Sequence, residues 1–519
     1  MFFNLFSPKK KTLLHPLADP EALERAIGLL PLDDAFKSVD KAIKWINSLD
    51  QFDDFDAESR FAIVRRIDDA IQPHLFKLSR HYLTSRRLSK SEEKRLWTIS
   101  YDCWDMLARA YESCLQLVQK EMEASQGRME ENVAHHLPLL LTRLVRSLGA
   151  ILCWTLYRYM PLPNEIWPRL GRAYLFAETN HCSNRKLQCY PGFPGLSTVR
   201  DEYLRVLVFH ASSVDGLMPF QMALADYALR YLLPHFVFAA ETAQVCAYWI
   251  DVDKPMPPTR LVNPETPSPT LRLIGAGEVP SALGDLAEAL EAGNVPPGFP
   301  HGGEFTAQML LPVVEHLSLY WSAQPPLREH LRHPIRARAS VLNGFDDSFT
   351  VFAGNLARMG KERAAESWVV ENASLGGFGA MIENFHGDWL KVGALLSIHP
   401  EGSEGWMLGV IRRLTKLSEE QTTVGIQMLG RLAKSIELMP SVRSYESGSN
   451  IPGIRLDSAE AAGEIRVVLP AGTFRTGEKF EYMQDGYRFL LSPLDFSERE
   501  GGGDFEIGRY RQESLDKME

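Results

Sequence analysis

The sequence predicts an α+β multidomain protein: an N-terminal all-α helical domain, then a small antiparallel β-barrel, then a further C-terminal β module. Three observations predict it. Apolar residues recur every three to four positions from about Pro20 to His235, the pattern of amphipathic helices. From Arg332 onward the period falls toward two, in short apolar runs broken by Gly, Asn and Asp. Between them lies a composition break: Lys254-Pro255-Met256-Pro257-Pro258, Pro264 to Pro269, and Pro296-Pro297-Gly298-Phe299-Pro300. With 519 residues the chain is too long for one core. We divide it into a helical domain (1–253), a Pro/Gly-rich linker with a short helix (254–303), a linking helix plus barrel (304–432), and a C-terminal β module with a mobile tail (433–519).

The helical text begins with Asp33 to Leu49, which puts Phe36, Val39, Ile43, Trp45 and Ile46 roughly on one side, and continues through Asp56 to Leu83. Ser89-Lys90-Ser91-Glu92 has the form of a capping box that opens a long helix. Met129 to Tyr159, Leu196 to Phe209 and Leu217 to Leu233 complete the set. Trp167-x-x-Leu170-Gly171-x-x-Tyr174 matches the opening of a tetratricopeptide repeat, but no second copy follows. Around Phe236 to Ile250 the text turns β-branched and aromatic. Pro280 to Gly293 reads as the short helix inside the linker, and Glu304 to Ser322 as an amphipathic helix leading to the arginines.

Short strands are then expected at Ser340–Leu342, Phe349–Phe352, Ser367–Val370, Phe378–Ile382 and Leu395–His399. A hairpin follows at Trp406–Arg412 and Val424–Leu429. Strands this short and numerous suit a small closed barrel. Gly463 to Leu469, Lys479 to Tyr482 and Tyr487 to Leu491 repeat the style as a second β module. The Gly501-Gly502-Gly503 run and the polar stretch after Arg511 are expected to be mobile.

Composition excludes several functions. A net charge of -10 argues against a general DNA, RNA or anionic-membrane binder, which carries a basic excess. The six cysteines form no CxxC pair, so reduced core thiols in a cytoplasmic protein are expected. His181, Cys182 and Cys189 supply three metal-ligand types without a fourth. No uninterrupted apolar run reaches the length of a membrane span, the best being Leu148 to Tyr157. The opening MFFNLFSPKKK has its charges on the wrong side for a signal peptide. We find no P-loop, HExxH or Gly-x-Ser-x-Gly elbow, so no enzyme is expected.

The chemistry concentrates between Arg328 and Gly377. Arg332-His333-Pro334-Ile335-Arg336 places two guanidinium groups four residues apart, where Pro334 disfavours helix at His333 and leaves the pair on a loop entering the barrel; Arg338 is a third candidate. Arg328 and Arg332 form a competing register, which as a helix would place both on one solvated face. Guanidinium forks grip phosphates or guanine edges and stack on bases. Further on stands Asn372-Ala373-Ser374-Leu375-Gly376-Gly377. There Asn372 and Ser374 alternate along a strand end and share a face, while the glycines permit a tight turn with positive φ.

Arg332-x-x-x-Arg336 followed by Asn372-x-Ser374-x-x-Gly377 resembles the motif pair of the PilZ domain, the bacterial receptor module for cyclic di-GMP. The resemblance covers about residues 328–430, roughly a fifth of the chain, and leaves 1–320 untouched. It implies a PilZ-like barrel that binds cyclic di-GMP through Arg332, Arg336, Asn372, Ser374 and Gly377, with Arg338 beside them, and no cofactor. Asn at 372 departs from the commoner Asp, and the gap from Arg336 to Asn372 is long for the family. The expected function is a non-enzymatic cyclic di-GMP receptor that alters contacts with the helical domain or with a protein partner. The alternative is an adaptor whose PilZ-like barrel is nucleotide-silent and docks protein, because fold does not fix function.

Overall fold

The computed structural model describes residues 15–517, except 53–54, 86, 194, 242–244, 262–267, 297–298, 300–304, 327–329, 356–364, 386, 431, 442–449, 457–462 and 499–503. Arg328, the opening MFFNLFSPKKK and the Gly501–Gly503 run therefore lie outside the described residues. The chain divides into two compact units, one of 1–158, 162–214 and 219–326, the other of 159–161, 215–218 and 327–519.

The first unit is built on helices α1 (Pro20–Gly28), α2 (Ala35–Leu49), α3 (Ala57–Thr84), α4 (Lys90–Ala124), α5 (Glu131–Tyr157), α6 (Ile166–Thr179), α7 (Val199–Ala211) and α8 (Pro219–Leu232). Short polar side chains start them: Asp19, Asp34, Asp56, Ser89 and Thr198 each accept an N–H of the first turn, satisfying donors that the helix leaves open. Helix α5 is long and apolar enough to cross a membrane, with 78% of its most apolar window buried inside the fold. It packs against α4, α6 and α7, and its arginines are met by counter-charges. Arg143 pairs with Asp68 and Asp69 and donates to the Cys189 carbonyl. Burial pushes the Glu202 carboxyl up, but Arg146, Arg205 and Arg230 outweigh that and hold it at about 2. The tetratricopeptide-like Gly171 is a packing feature, since a Cβ there would stand 2.0 Å from the Val252 carbonyl oxygen.

The expected linker differs from expectation. Strands β1 (Val237–Ala239), β2 (Tyr248–Asp251), β3 (Thr259–Arg260) and β4 (Leu271–Gly275) form one antiparallel sheet in the order β1-β4-β2-β3. Two of those strands fall inside 254–303. The prolines there flank the strands, whereas Leu271-Arg272-Leu273-Ile274 carries enough alternation to pair on both sides. Helices α9 (Val279–Glu291) and α10 (Ala307–Tyr320) follow.

In the second unit, β5 (His333–Asn343), α11 (Gly344–Phe352), β6 (Glu366–Ser374), β7 (Gly377–Glu383), β8 (Leu395–Pro400), β9 (Met407–Lys416) and β10 (Gln421–Gly430) build a closed barrel, with the strands in the order β10-β7-β6-β5-β8-β9. Its core gathers Val341, Trp368, Val370, Ile382, Leu396, Ile398, Ile411 and Ile426. Trp368 stacks on Trp389, and both indoles donate to Glu366 at 2.9 Å. The strand expected at Phe349–Phe352 is the end of α11. Phe345, Phe349 and Phe352 recur at three and four, and Asp346 and Asp347 in the first turn favour helix.

The C-terminal module is a second closed barrel of β11 (Ala433–Pro440), β12 (Ile451–Leu456), β13 (Glu464–Pro470), β14 (Phe480–Gln484), β15 (Tyr487–Glu498) and β16 (Phe505–Lys517). The expected mobile tail after Arg511 is instead paired as part of β16, with Lys517 opposite Tyr487; the backbone ladder compensates for its polar side chains. The two barrels have one connectivity. In each, the first strand pairs with the second, the second with the third, the third with the sixth, the sixth with the fifth, the fifth with the fourth, and the fourth closes on the first. They share an apolar cluster of Leu395, Leu408, Val410 and Leu429 with Ile454, Leu456, Val468 and Ile507.

Candidate functional site on the first barrel

Strands β5 and β6 run antiparallel, with His333 opposite Ala373 and Pro334 opposite Asn372. Continuing that register one step brings Arg332 level with Ser374. His330 lies against the same turn: a Cβ built at Gly376 would stand 3.3 Å from its Cδ2. The arginine segment and the Asn-x-Ser-x-x-Gly hairpin are thus neighbours. The segment is not the entering loop expected from Pro334, because β5 begins at His333 and Arg336 sits within the strand. There the register slips between Pro334 and Ala337, so that two β5 residues face one of β6. Arg332, Arg336 and Arg338 are exposed. Arg338 lies farther along, opposite Val369, and donates to Ser367 Oγ at 3.3 Å.

A second register slip decides where Asn372 points. Val370 lies in the core opposite Ala380, so simple alternation would turn Asn372 inward as well. Between them β6 shifts by one against β7, and Asn372 faces Gly379, Ala373 faces Phe378, and Ser374 faces Gly377. Phe378 packs on the barrel core and pairs with buried Ile426. Cross-strand partners share a face, so Asn372 and Ser374 stand on the outer wall. Irregularities of this kind re-aim side chains beside functional sites.

Asn372 Oδ1 is shielded from solvent and has no hydrogen-bond partner among the described residues, an unmet acceptor that a ligand N–H would satisfy. The side chain lies over Gly379, where a Cβ would stand 2.6 Å from both its Oδ1 and Nδ2. Ser374 Oγ makes a long bond to the Gly377 carbonyl, 3.3 Å. Neither Gly376 nor Gly377 has the positive φ expected of the turn. Gly377 is required because a Cβ would stand 1.9 Å from the Ile426 carbonyl oxygen. It admits the neighbouring strand.

Sequence reasoning missed the rest of this wall. Gly379 pairs with Gly425, and Gly425 with Arg413, so glycines carry the line from Asn372 across β7 and β10 to Arg413. Glycines at 377, 379 and 425 inside otherwise good strand text were the available signal, since a strand glycine often marks close approach. The His181-Cys182 and Cys189 set gathers no metal-binding group among the described residues; Cys182 and Cys189 are buried free thiols, and burial pushes both up.

Comparison with known proteins adds two findings. The family model described as the cyclic-di-GMP receptor FimW, N-terminal domain, matches residues 21–242. The model described as the cyclic-di-GMP receptor FimW, middle PilZ domain, matches residues 357–434. The second match contains Asn372, Ser374, Gly377 and the hairpin of β9 and β10. It begins after Arg332, Arg336 and Arg338. No curated protein matches the chain. The two models lie in the expected order, cover more than half of the sequence, and fall on the helical unit and the first barrel; the chain belongs to the FimW family of cyclic di-GMP receptors, and its first barrel is the PilZ domain.

Proposed function

We propose that the outer wall of the first barrel holds cyclic di-GMP through Arg332, Arg336, Asn372, Ser374 and Gly377, with Arg338 at its margin. The observation that carries this reading is the pairing of His333 with Ala373 and Pro334 with Asn372, which makes neighbours of motifs far apart in sequence. The ligand presents two guanines and two phosphates with charge -2. Exposed guanidinium groups supply charge-assisted bonds to phosphate or to guanine O6 and N7. Asn372 supplies the acceptor for a guanine N–H, and Ser374 a donor and acceptor on the same face. Gly377 keeps the hairpin against β10, holding Asn372 and Ser374 in place.

The protein acts as a non-enzymatic cytoplasmic receptor without a cofactor and without DNA or RNA as partner. Residues 304–432 form the ligand module, 1–253 present the surface for a protein partner, and 433–519 buttress the barrel. Ligand contacts that exist in one arrangement of the chain and not in another shift the population between them.

A hydrogen bond to a charged group contributes about 1.5–3 kcal/mol. Arg332→Ala and Arg336→Ala are therefore each expected to weaken cyclic di-GMP binding roughly tenfold to a hundredfold in calorimetric titration of the full chain. Unchanged affinity in both variants would contradict the site. A wild type that binds no dinucleotide would favour the nucleotide-silent adaptor.

A further inference from the structure

Four register pairs run in one line across the barrel wall: Pro334 with Asn372, Asn372 with Gly379, Gly379 with Gly425, and Gly425 with Arg413. With strands roughly 4.8 Å apart, Asn372 and Arg413 are separated by about 14 Å along the curved sheet. Only two residues without side chains lie between them. Asn372 leans over one of these, and the Arg413 Cβ lies 3.3 Å from where a Cβ on the other would be. Gly379 is buried beneath the Asn372 side chain and Gly425 is half-buried beside Arg413, so the polar groups of β6 and β9 meet across two glycines that carry no side chain of their own.

Arg413 has a carboxylate partner: its Nε stands 3.4 Å from Asp215 Oδ2, with the two side chains 50% and 36% exposed. Asp215 lies in the short segment Asp215–Met218, which belongs to the same unit as the barrel. That segment has a second attachment, since the Lys416 N–H donates to the Tyr159 carbonyl and the Tyr159 hydroxyl donates to the Leu217 carbonyl, each at 2.8 Å. An exposed pair of this kind is weak. A phosphate offers a guanidinium fork more charge and two parallel bonds.

We propose that Arg413 is a further ligand-binding residue of this site, and that it exchanges Asp215 for a phosphate of the dinucleotide. The inference rests on the reading above. Occupancy of the wall then loosens the Asp215 attachment of the segment Asp215–Met218, the stretch of chain between α7 and α8, while the Tyr159 attachment persists.

The test is calorimetric titration of cyclic di-GMP into full-length wild type, Arg332→Ala, Arg336→Ala, Arg413→Gln, Asp215→Asn and the Asp215→Asn/Arg413→Gln double variant. Arg413→Gln is expected to weaken binding about tenfold. Asp215→Asn removes the competitor and is expected to tighten it about two- to fivefold. In the double variant the gain from Asp215→Asn should vanish. Wild-type affinity in Arg413→Gln, or an equal gain from Asp215→Asn in its absence, overturns the exchange while leaving the site intact. A wild type that does not bind, or Arg332→Ala and Arg336→Ala both binding like wild type, overturns the site itself. Both side chains are partly exposed, so melting temperatures near the wild-type value are expected for all variants.

Discussion

The third strand of the first barrel opens with Gly377 and Gly379, and that of the second opens with Glu464 and Arg466. Across from them on the sixth strands stand Gln427 and Gly425 in the first barrel, Arg511 and Arg509 in the second. The connectivity is the same and the inward positions are apolar in both. The outer wall differs: three of these four positions are glycine in the first barrel, and all four carry long side chains in the second. Arginines are present in both, but their engagements are unlike. Arg466 donates to the Leu429 carbonyl at 2.8 Å, binding barrel to barrel, and Arg509 pairs with Glu464 at 3.0 Å, binding strand to strand. An arginine on a barrel wall therefore does not make a ligand site. The proposed site differs in having glycines beside its arginines and an acceptor, Asn372 Oδ1, that meets no partner among the described residues. Inward alternation sets the fold, and a few outward positions set what it can bind.

The sharpest way to break this comparison is to write the second barrel's residue into the first. Gly425→Arg places a long side chain on the line of glycines, where the nearest atoms to a new Cβ belong to the Arg413 side chain. The fold should survive, with a melting temperature within a few degrees of wild type, and cyclic di-GMP affinity should fall by about a hundredfold, as for loss of two charge-assisted bonds. Retained binding would mean that line is not where the ligand lies. A smaller effect is expected from Asn372→Ala, which removes the unmet acceptor together with its partner role: about fivefold to tenfold weaker binding by calorimetry. Smallest of all should be Arg466→Ala in the second barrel, with less than a twofold change in affinity and a lowered melting temperature as the reinforcement between the barrels is lost.

Much of this architecture was legible in the sequence because helical stripes and short strand runs have different periods. The Ser89 cap, the long apolar stripe of α5 and the β9–β10 hairpin all followed from local text. Where reading went wrong, a local signal was overruled. The cluster Phe349 to Phe352 looked like a strand until Asp346, Asp347 and the three-to-four spacing of its phenylalanines were given their weight. Prolines around Thr259–Arg260 and Leu271–Gly275 hid two paired strands, and the polar tail hid the end of β16.

The site divides in the same way. Arg332, Arg336, Asn372 and Ser374 could be put forward as candidates from their types and order along the chain. The slip of β6 that turns Asn372 outward could not, since it depends on how β6 meets β7. Arg413 was equally out of reach: nothing local says that the third and sixth strands pair, so Asn372 and Arg413 gave no sign of lying on one line.

The central claim, that the first barrel's glycine-bearing wall is where the dinucleotide lies, is tested most directly by hydrogen–deuterium exchange of the full chain with and without saturating cyclic di-GMP. Protection should rise in the peptides covering 330–338 and 372–379 and stay unchanged in those covering 464–470. Saturation with no change at 372–379, or with protection appearing on the second barrel instead, would contradict it.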